Sequence, residues 1–232
     1  MSIDLNIPEL LPEDVISRAK KLNPALLCDG MKAVGGIPHD GCMEAAMMPV
    51  NKNVTMVGTA YTVKTANGDN FPIHVATYNG GPGYVMVVDG GGCMERAYLG
   101  DLIMGAAQAV GYEGIVVDGC VRDTIGCLEM GFPVYSKGII QDGPIKKDPG
   151  EINVPVVCGG IGVNPGDLVV GGADGITVVP RDKVHEVLEQ AEAKAEYEEN
   201  RDKAIAEYRR CKAAGEPLPE LAPQWVLDML KE

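Results

Sequence analysis

Three residues near the middle of the chain have the types and the spacing to do chemistry together. Asp101 is followed, after twenty intervening residues, by the pair Arg122-Asp123. Two carboxylates and a guanidinium suit a hard divalent cation and an anionic substrate, provided the fold brings them to one patch. Each has a plainer reading as well. An Arg-Asp pair after a strand is often a structural ion pair, and an Asp at a helix start is often a cap.

The elements that must position them lie between Tyr84 and Gly138. Tyr84–Asp89, Ile115–Asp118 and Pro133–Ser136 are short apolar runs rich in Val and Ile and bounded by Gly or Pro, which predicts buried strands. Leu99, Leu102, Ile103, Ala106, Ala107 and Val110 recur at helical spacing and stop at Gly111. A shorter helix, TIGCLEM, follows Asp123. The expected order is therefore βαβαβ, with parallel strands and right-handed crossovers. Ligands gather beyond the carboxyl ends of such strands, where helix N-termini point. Asp101 and Arg122-Asp123 both fall there.

The flanks differ. Residues 12–34 predict two helices broken at Asn23-Pro24 and ended by Gly35-Gly36, and residues 37–50, with His39, look irregular. Val54–Thr65 predicts a strand with a bend at Gly58, followed by a polar turn Ala66–Asn70 and a short helix carrying His74. The turn could bind an anion through its amides, although most such turns bind nothing, and a packed core role is the plainer one for His74. After a polar loop, 141–150, Val154–Cys158 predicts a strand that Gly159–Val163 continues loosely, and Leu168–Gly171 and Ile176–Val179 predict a hairpin. Antiparallel pieces are thus expected on both sides of a parallel centre. Residues 181–214 are nearly free of Gly and Pro and heavily charged, with a narrow stripe of Val184, Val187, Leu188, Ala191 and Ala195. Such a helix must project or pack on another subunit. The apolar patch around Trp225–Leu230 wants a partner surface. The expected domains are 1–180, a catalytic domain, and 181–232, a helical arm that contacts a neighbour in an oligomer.

Composition narrows the function classes. The formal net charge of −13 argues against nucleic acid and anionic membranes as partners. No stretch approaches a membrane span, and MSIDLNIPELLPEDV lacks a basic region followed by an apolar segment. Seven cysteines, with no CxxC, predict reduced thiols in a cytoplasmic protein. Cys93, Cys120 and Cys127 lie near the proposed patch, and small buried side chains are the favoured reading of them.

Gly68-Asp69-Asn70 with Ile73-His74, VMVVDGGG, Gly100-Asp101-Leu102, DGCVRD, GFPVYSKG and PGDLVVGGADGITVVP, in this order and spacing, resemble the RraA-like family over about residues 25–180. Within it the chain is similar to the 4-hydroxy-4-methyl-2-oxoglutarate / 4-carboxy-4-hydroxy-2-oxoadipate aldolases. The resemblance implies a β-β-α sandwich of the swivelling phosphohistidine-domain type, here with a parallel βαβαβ centre and a long C-terminal helical arm. It implies trimers or hexamers with sites between subunits, a Mg2+ or Mn2+ requirement, an oxo-acid substrate and a side activity of oxaloacetate decarboxylation. Aldolase-like members carry the acidic residue, twenty residues, then Arg-Asp, whereas members that regulate ribonuclease E lack the Arg-Asp pair. The expected roles are Asp123 as metal ligand, Asp101 holding metal-bound water and moving a proton, and Arg122 gripping the keto acid. Backbone amides around Gly100, Leu102, Ile103 and Met104 would take the C1 carboxylate, and Glu198 or Glu199 would serve a neighbour's site. Three rival readings stand beside this one: a Schiff-base aldolase using Lys137, a non-catalytic regulator of ribonuclease activity, and an oxo-acid lyase or decarboxylase with another substrate. Cys93, Met94 and Glu95, and the tail from Pro217, depart from the family pattern.

Overall fold

A computed structural model of the chain describes residues 5–231. Residues 1–4, the start of the stretch read above for a leader, and residue 232, the end of the tail, lie outside the described residues. Two short helices come first, α1 (Glu13–Ala19) and α2 (Pro24–Val34). Their break is local chemistry. Pro24 starts α2, and the Asn23 side chain caps it by accepting from the Leu26 amide at 2.8 Å. Strands β1 (Met48–Pro49) and β2 (Met56–Lys64), helix α3 (Phe71–Asn79) and strand β3 (Tyr84–Ala97) follow. Then come α4 (Asp101–Val110), β4 (Gly114–Val121), α5 (Thr124–Met130), β5 (Val134–Ile139) and β6 (Glu151–Ile152). The β7 (Val156–Cys158) and β8 (Ile161–Val163) pair and the β9 (Leu168–Gly172) and β10 (Gly175–Val179) pair complete the strands.

Seven strands run in the order β1-β5-β4-β3-β2-β9-β10, with β6 added on β2. Strands β2, β3, β4 and β5 are mutually parallel, and β1, β6, β9 and β10 are antiparallel to their neighbours. The parallel centre is thus one strand wider than the sequence suggested, because α3 makes the β2-to-β3 connection a crossover. One face of the sheet (Met86, Val88, Ile115, Val117, Val121) packs against Ile73, Ala76, Ile103, Met104, Ala107 and Cys127 of α3, α4 and α5. The other (Val85, Val87, Val116, Tyr135, Val169) packs against Val156, Cys158, Ile161 and Val163 of the β7–β8 hairpin. The result is a mixed α/β sandwich of helix layer, sheet and hairpin.

Two strands differ from expectation for reasons of glycine geometry. β3 does not end at Asp89 but runs through the glycine triplet to Ala97. Gly91 and Gly92 have positive φ, and the β3–β4 register shifts between Val88 and Cys93 and again between Cys93 and Ala97. Glycines inside a strand commonly mark such bulges. Val156–Val163 is not one loose strand but a tight hairpin, turned by Gly159 and Gly160 with φ of 56° and 80°.

The chain divides into two compact units, Met1–Ala191 and Glu192–Glu232. The division falls inside α6 (Val184–Ala214), not at 180/181, because Val184, Val187, Leu188 and Ala191 are buried in the first unit. Backbone of Val187 and Ala191 lies so close to Gly30 of α2 that a Cβ there would collide. In the second unit the rest of α6 is highly charged. Arg201 donates to the Leu221 carbonyl at 2.7 Å, and Arg210 bridges Glu207 and Glu216 at 2.7 and 2.8 Å. Trp225, Met229 and Leu230, of or next to α7 (Gln224–Met229), are exposed. Among the described residues, no helix is long and apolar enough to cross a membrane.

Candidate active site

The carboxyl ends of β3 and β4 are tied together just before the residues of interest. Tyr98 donates its amide to the Cys120 carbonyl at 2.9 Å, and Arg122 donates its own to the Leu99 carbonyl at 3.0 Å. These bonds set Gly100 beside Asp123. A Cβ on Gly100 would collide with the Asp123 carboxylate, so glycine is required here for the space it leaves. Asp123 sits in the left-handed region (φ 56°, ψ 41°), at the turn from β4 into α5. Backbone held there by a non-glycine residue is a mark of functional sites. Asp101 opens α4 and packs over Gly126 of α5, 3.0 Å from where that glycine's Cβ would be. The two carboxylates, expected from separate turns, therefore rim one cleft of about 120 Å³.

Arg122 lines the same cleft. Its Nε is 3.4 Å from Asp123 Oδ2, with both side chains 42% exposed. An ion pair this open is worth only about 0–1 kcal/mol. Arg122 can exchange it for a substrate anion at small cost. The expected backbone cradle is smaller than predicted. Met104 donates its amide to the Gly100 carbonyl at 3.1 Å and its side chain is buried, so its amide is already engaged within the helix. Leu102 and Ile103 line the cleft in the first turn of α4, whose amides have no partner within a helix. Gly100 caps that helix without a side-chain bond.

Five cleft residues were not singled out as ligands from the sequence: Asn70, His74, Leu99, Pro144 and Lys146. His74 is not packed in the core but half-buried at the cleft. Burial, and then the neighbouring Lys146 ammonium, lower its pKa. Asn70 is buried, gives its side-chain amide to the Tyr98 carbonyl at 2.8 Å, and leaves its Oδ1 without a partner. Lys146 comes from the polar loop, which is held by Asp69. That carboxylate accepts the amides of Phe71 (2.9 Å), Lys147 (2.8 Å) and Asp148 (3.0 Å). The signal was present in Gly68-Asp69-Asn70, but its loop partners are almost eighty residues away. The amides of Gly68, Asp69 and Asn70 are all bonded within the protein, so the turn binds no anion through them.

Lys137 does not line the cleft, and it is half-buried rather than on the surface. It lies on the other face of the sheet, 2.6 Å from both Asp118 and Glu44. Burial works against its charge, but the two carboxylates outweigh that and raise its pKa. A Schiff base needs the neutral amine. Cys120 and Cys127 are buried and Cys93 is half-buried. Glu198 is exposed, and Glu199 pairs with Lys203 at 2.6 Å on α6.

Among the described residues no group of three or more His, Cys, Asp or Glu could by itself hold a metal ion. Asp101 and Asp123 supply two oxygen donors, and Gly100 leaves the second uncrowded. That fits a hard divalent cation, which keeps several waters and takes one or two carboxylates, and it does not fit a structural zinc site.

A family model for RraA-like proteins (aldolase/RraA) matches residues 25–178. A protein of Halalkalibacterium halodurans, provisionally named a 4-hydroxy-4-methyl-2-oxoglutarate aldolase, is 40% identical over 165 residues, covering 71% of this chain and 79% of its own. The crystal structure of an uncharacterized protein from Pseudomonas syringae pv. tomato superposes with a TM-score of 0.75 at 26% identity, over 88% of this chain and 95% of that one. RraAS2 of Streptomyces coelicolor, described as an unusual member of the RNase ES inhibitor RraA family, gives 0.72 at 25% identity, over 81% and 96%. With its glycine-bounded strands, its Asp101 and Arg122-Asp123 cleft and a matching model over most of its length, this chain belongs to the RraA-like family.

Proposed function

We propose that the protein is a divalent-metal-dependent aldolase that cleaves a 4-hydroxy-2-oxo acid, such as 4-hydroxy-4-methyl-2-oxoglutarate, to pyruvate and a second oxo acid. The observation that carries this reading is the meeting of Asp101, Arg122, Asp123 and the α4 N-terminus in one cleft. Asp123, and Asp101 through water, would hold Mg2+ or Mn2+, which supplies a Lewis acid for the electron pair released when the carbon–carbon bond breaks. The amides of Leu102 and Ile103 receive the C1 carboxylate, where the helix dipole favours an anion. Arg122 turns from its weak pair with Asp123 to the keto oxygen and stabilises charge as it develops there. Asp101, exposed at the start of α4, accepts the C4 hydroxyl proton, directly or through one water. Lys146 adds a second cation to the cleft for a multiply charged substrate. Oxaloacetate, which yields the same three-carbon product by losing carbon dioxide, fits the same groups as a side substrate.

The same reading includes a trimer or hexamer. Leu102 and Ile125, 86% and 73% exposed beside the cleft, are apolar surface that a neighbouring copy would cover. Glu198 or Glu199 of that copy would add a carboxylate. The test is pyruvate release from 4-hydroxy-4-methyl-2-oxoglutarate and from oxaloacetate with Mg2+ or Mn2+, repeated with EDTA. Release from the first substrate that EDTA abolishes supports the aldolase. Release from oxaloacetate alone redirects the reading to a decarboxylase. The likeness to RraAS2 favours a second reading, a regulator of ribonuclease activity. No turnover by metal-loaded protein, together with inhibition of a ribonuclease E-type enzyme, would replace the first reading with the second.

A further inference from the structure

The polar loop that brings Pro144 and Lys146 to the cleft is fixed along its length by backbone bonds. Ala97 donates its amide to the Asp142 carbonyl at 2.8 Å, Ile145 donates to the Gly68 carbonyl at 2.8 Å, and Asn70 donates to the Ile145 carbonyl at 3.1 Å. A loop bonded on both sides of residues 143 and 144 is a wall of the cleft rather than a flap.

One side chain ties this wall to the segments it rests on. Arg96, near the end of β3, donates Nη1 to the Gly143 carbonyl at 2.9 Å and lies 3.5 Å from the Asp142 carboxylate. Its aliphatic stem crosses Gly68 (φ 73°), where a Cβ would sit 2.6 Å from the arginine Cδ. The ion pair is open, with side chains 41% and 58% exposed, so it adds little stability. Its effect is on position.

Gly143 in turn lies against Arg122. A Cβ on Gly143 would sit 3.0 Å from Arg122 Nη1, and a Cβ on Gly100 would sit 3.1 Å from Arg122 Cγ. The Arg122 side chain thus runs across two glycines, its stem on Gly100 and its guanidinium on Gly143. Its pair with Asp123 is long, at 3.4 Å, and holds the guanidinium only loosely. The Gly143 backbone therefore limits where the guanidinium can go, and Arg96 sets where that backbone lies.

We propose that Arg96 is a positioning residue for the cleavage: by seating Gly143, it fixes the Arg122 guanidinium where charge develops on the keto oxygen. The proposal rests on the aldolase reading above, and Arg96 acts only through Arg122. Misplacing a catalytic group by about 1 Å can cost about 10²-fold in rate.

The experiment measures pyruvate release from 4-hydroxy-4-methyl-2-oxoglutarate with Mg2+ by the whole protein and its variants. Arg96→Met keeps the stem over Gly68 and removes the guanidinium. The expected result is kcat lowered about 10-fold or more with KM little changed, because Arg122 acts on charge that appears in the transition state. Arg96→Lys should recover part of the loss. Gly143→Ala pushes on Arg122 with Arg96 intact and should lower kcat likewise, and it carries the test if Arg96→Met melts early. Combined, the two should lose less than the product of their single losses, since both act on one guanidinium. The Arg122 Nε–H NMR resonance, assigned by its loss in Arg122→Ala, should shift in both single variants, while the melting temperature of Arg96→Met falls by no more than about 4 °C. An unchanged kcat in Arg96→Met, a rise in KM alone, which would place its action on Lys146, or an unmoved Arg122 resonance would each overturn the proposal and leave the aldolase reading standing. No pyruvate from the wild-type protein would overturn that reading, and the proposal with it.

Discussion

Strand β4 and the turn after it contribute a carboxylate to each of two charged clusters on opposite sides of one sheet, and the two are built in opposite ways. On the helix side, Asp123 and Arg122 form a pair 3.4 Å apart that is 42% exposed on both members, beside an exposed Asp101. On the hairpin side, Asp118 and Lys137 meet at 2.6 Å with side chains 8% and 18% exposed, and Glu44 closes the other flank of the lysine. Asp118 also accepts the Gly159 amide at 3.1 Å and so holds the β7–β8 turn. Charges in the second cluster are spent on one another. Those in the first are presented to a cleft, loosely enough to be given to a ligand. Geometry thus separates groups available for chemistry from groups that hold the sheet, although both clusters mix acid and base in similar proportion.

The largest expected effect tests that contrast from the cleft side. Asp123→Ala should lower metal-dependent pyruvate release by about 10³-fold or more, roughly 4 kcal/mol of transition-state stabilisation, while the melting temperature hardly moves. A fully active variant would remove Asp123 from the chemistry. From the other side, Asp118→Ala leaves Lys137 with Glu44 alone and the Gly159 amide without its acceptor, and should cost about 2 kcal/mol in urea unfolding. If stability is untouched there, the contrast between the clusters fails.

Asp69 sharpens the comparison, since it is a buried carboxylate that serves the open cleft by holding the Lys146 loop. Burial pushes its pKa up, but the amides of Phe71, Asp148 and Lys147 outweigh this, and the net value is lowered. Its folded value therefore lies below the unfolded one of about 3.9, so its stabilisation is fully present above that pH. The stabilisation is lost as pH falls through the folded value. Asp69→Ala should cost about 2 kcal/mol at neutral pH and flatten the acid limb of a stability profile. The smallest effect is expected for Lys146→Ala: KM raised about 10-fold, roughly 1.4 kcal/mol, with kcat little changed. Because Lys146 is the second cause of the low His74 pKa, an NMR titration should show that pKa rise in the variant, and an unmoved value would detach Lys146 from the cleft.

Much of the parallel centre was legible because its signals are local. Apolar runs between glycines, a helical stripe ending at Gly111 (φ 106°) and the Asn23-Pro24 break each depend on neighbouring residues. The misread stretches involve glycine doing something other than stopping a strand. Gly91-Gly92 bulge β3 without ending it, and Gly159-Gly160 turn a hairpin. Of the site, Asp101, Arg122 and Asp123 were visible as acidic and basic residues at the ends of strands. Lys146 and Asn70 were not, because nothing in a polar loop or a turn tells which cleft it will face.

By itself the sequence determined where the helices and strands of the parallel centre begin and which residue types stand beyond the strands, since those follow from propensity, periodicity and caps. Tertiary structure alone decided which charges are neutralised. Lys137 and Arg122 are both cations next to strand ends, but long-range packing closes two carboxylates, Asp118 and Glu44, on a mostly buried Lys137, whereas Arg122 meets only its neighbour Asp123 in an open cleft. Coulombic and desolvation energies depend on distance in space and on burial, and neither can be read from spacing along the chain.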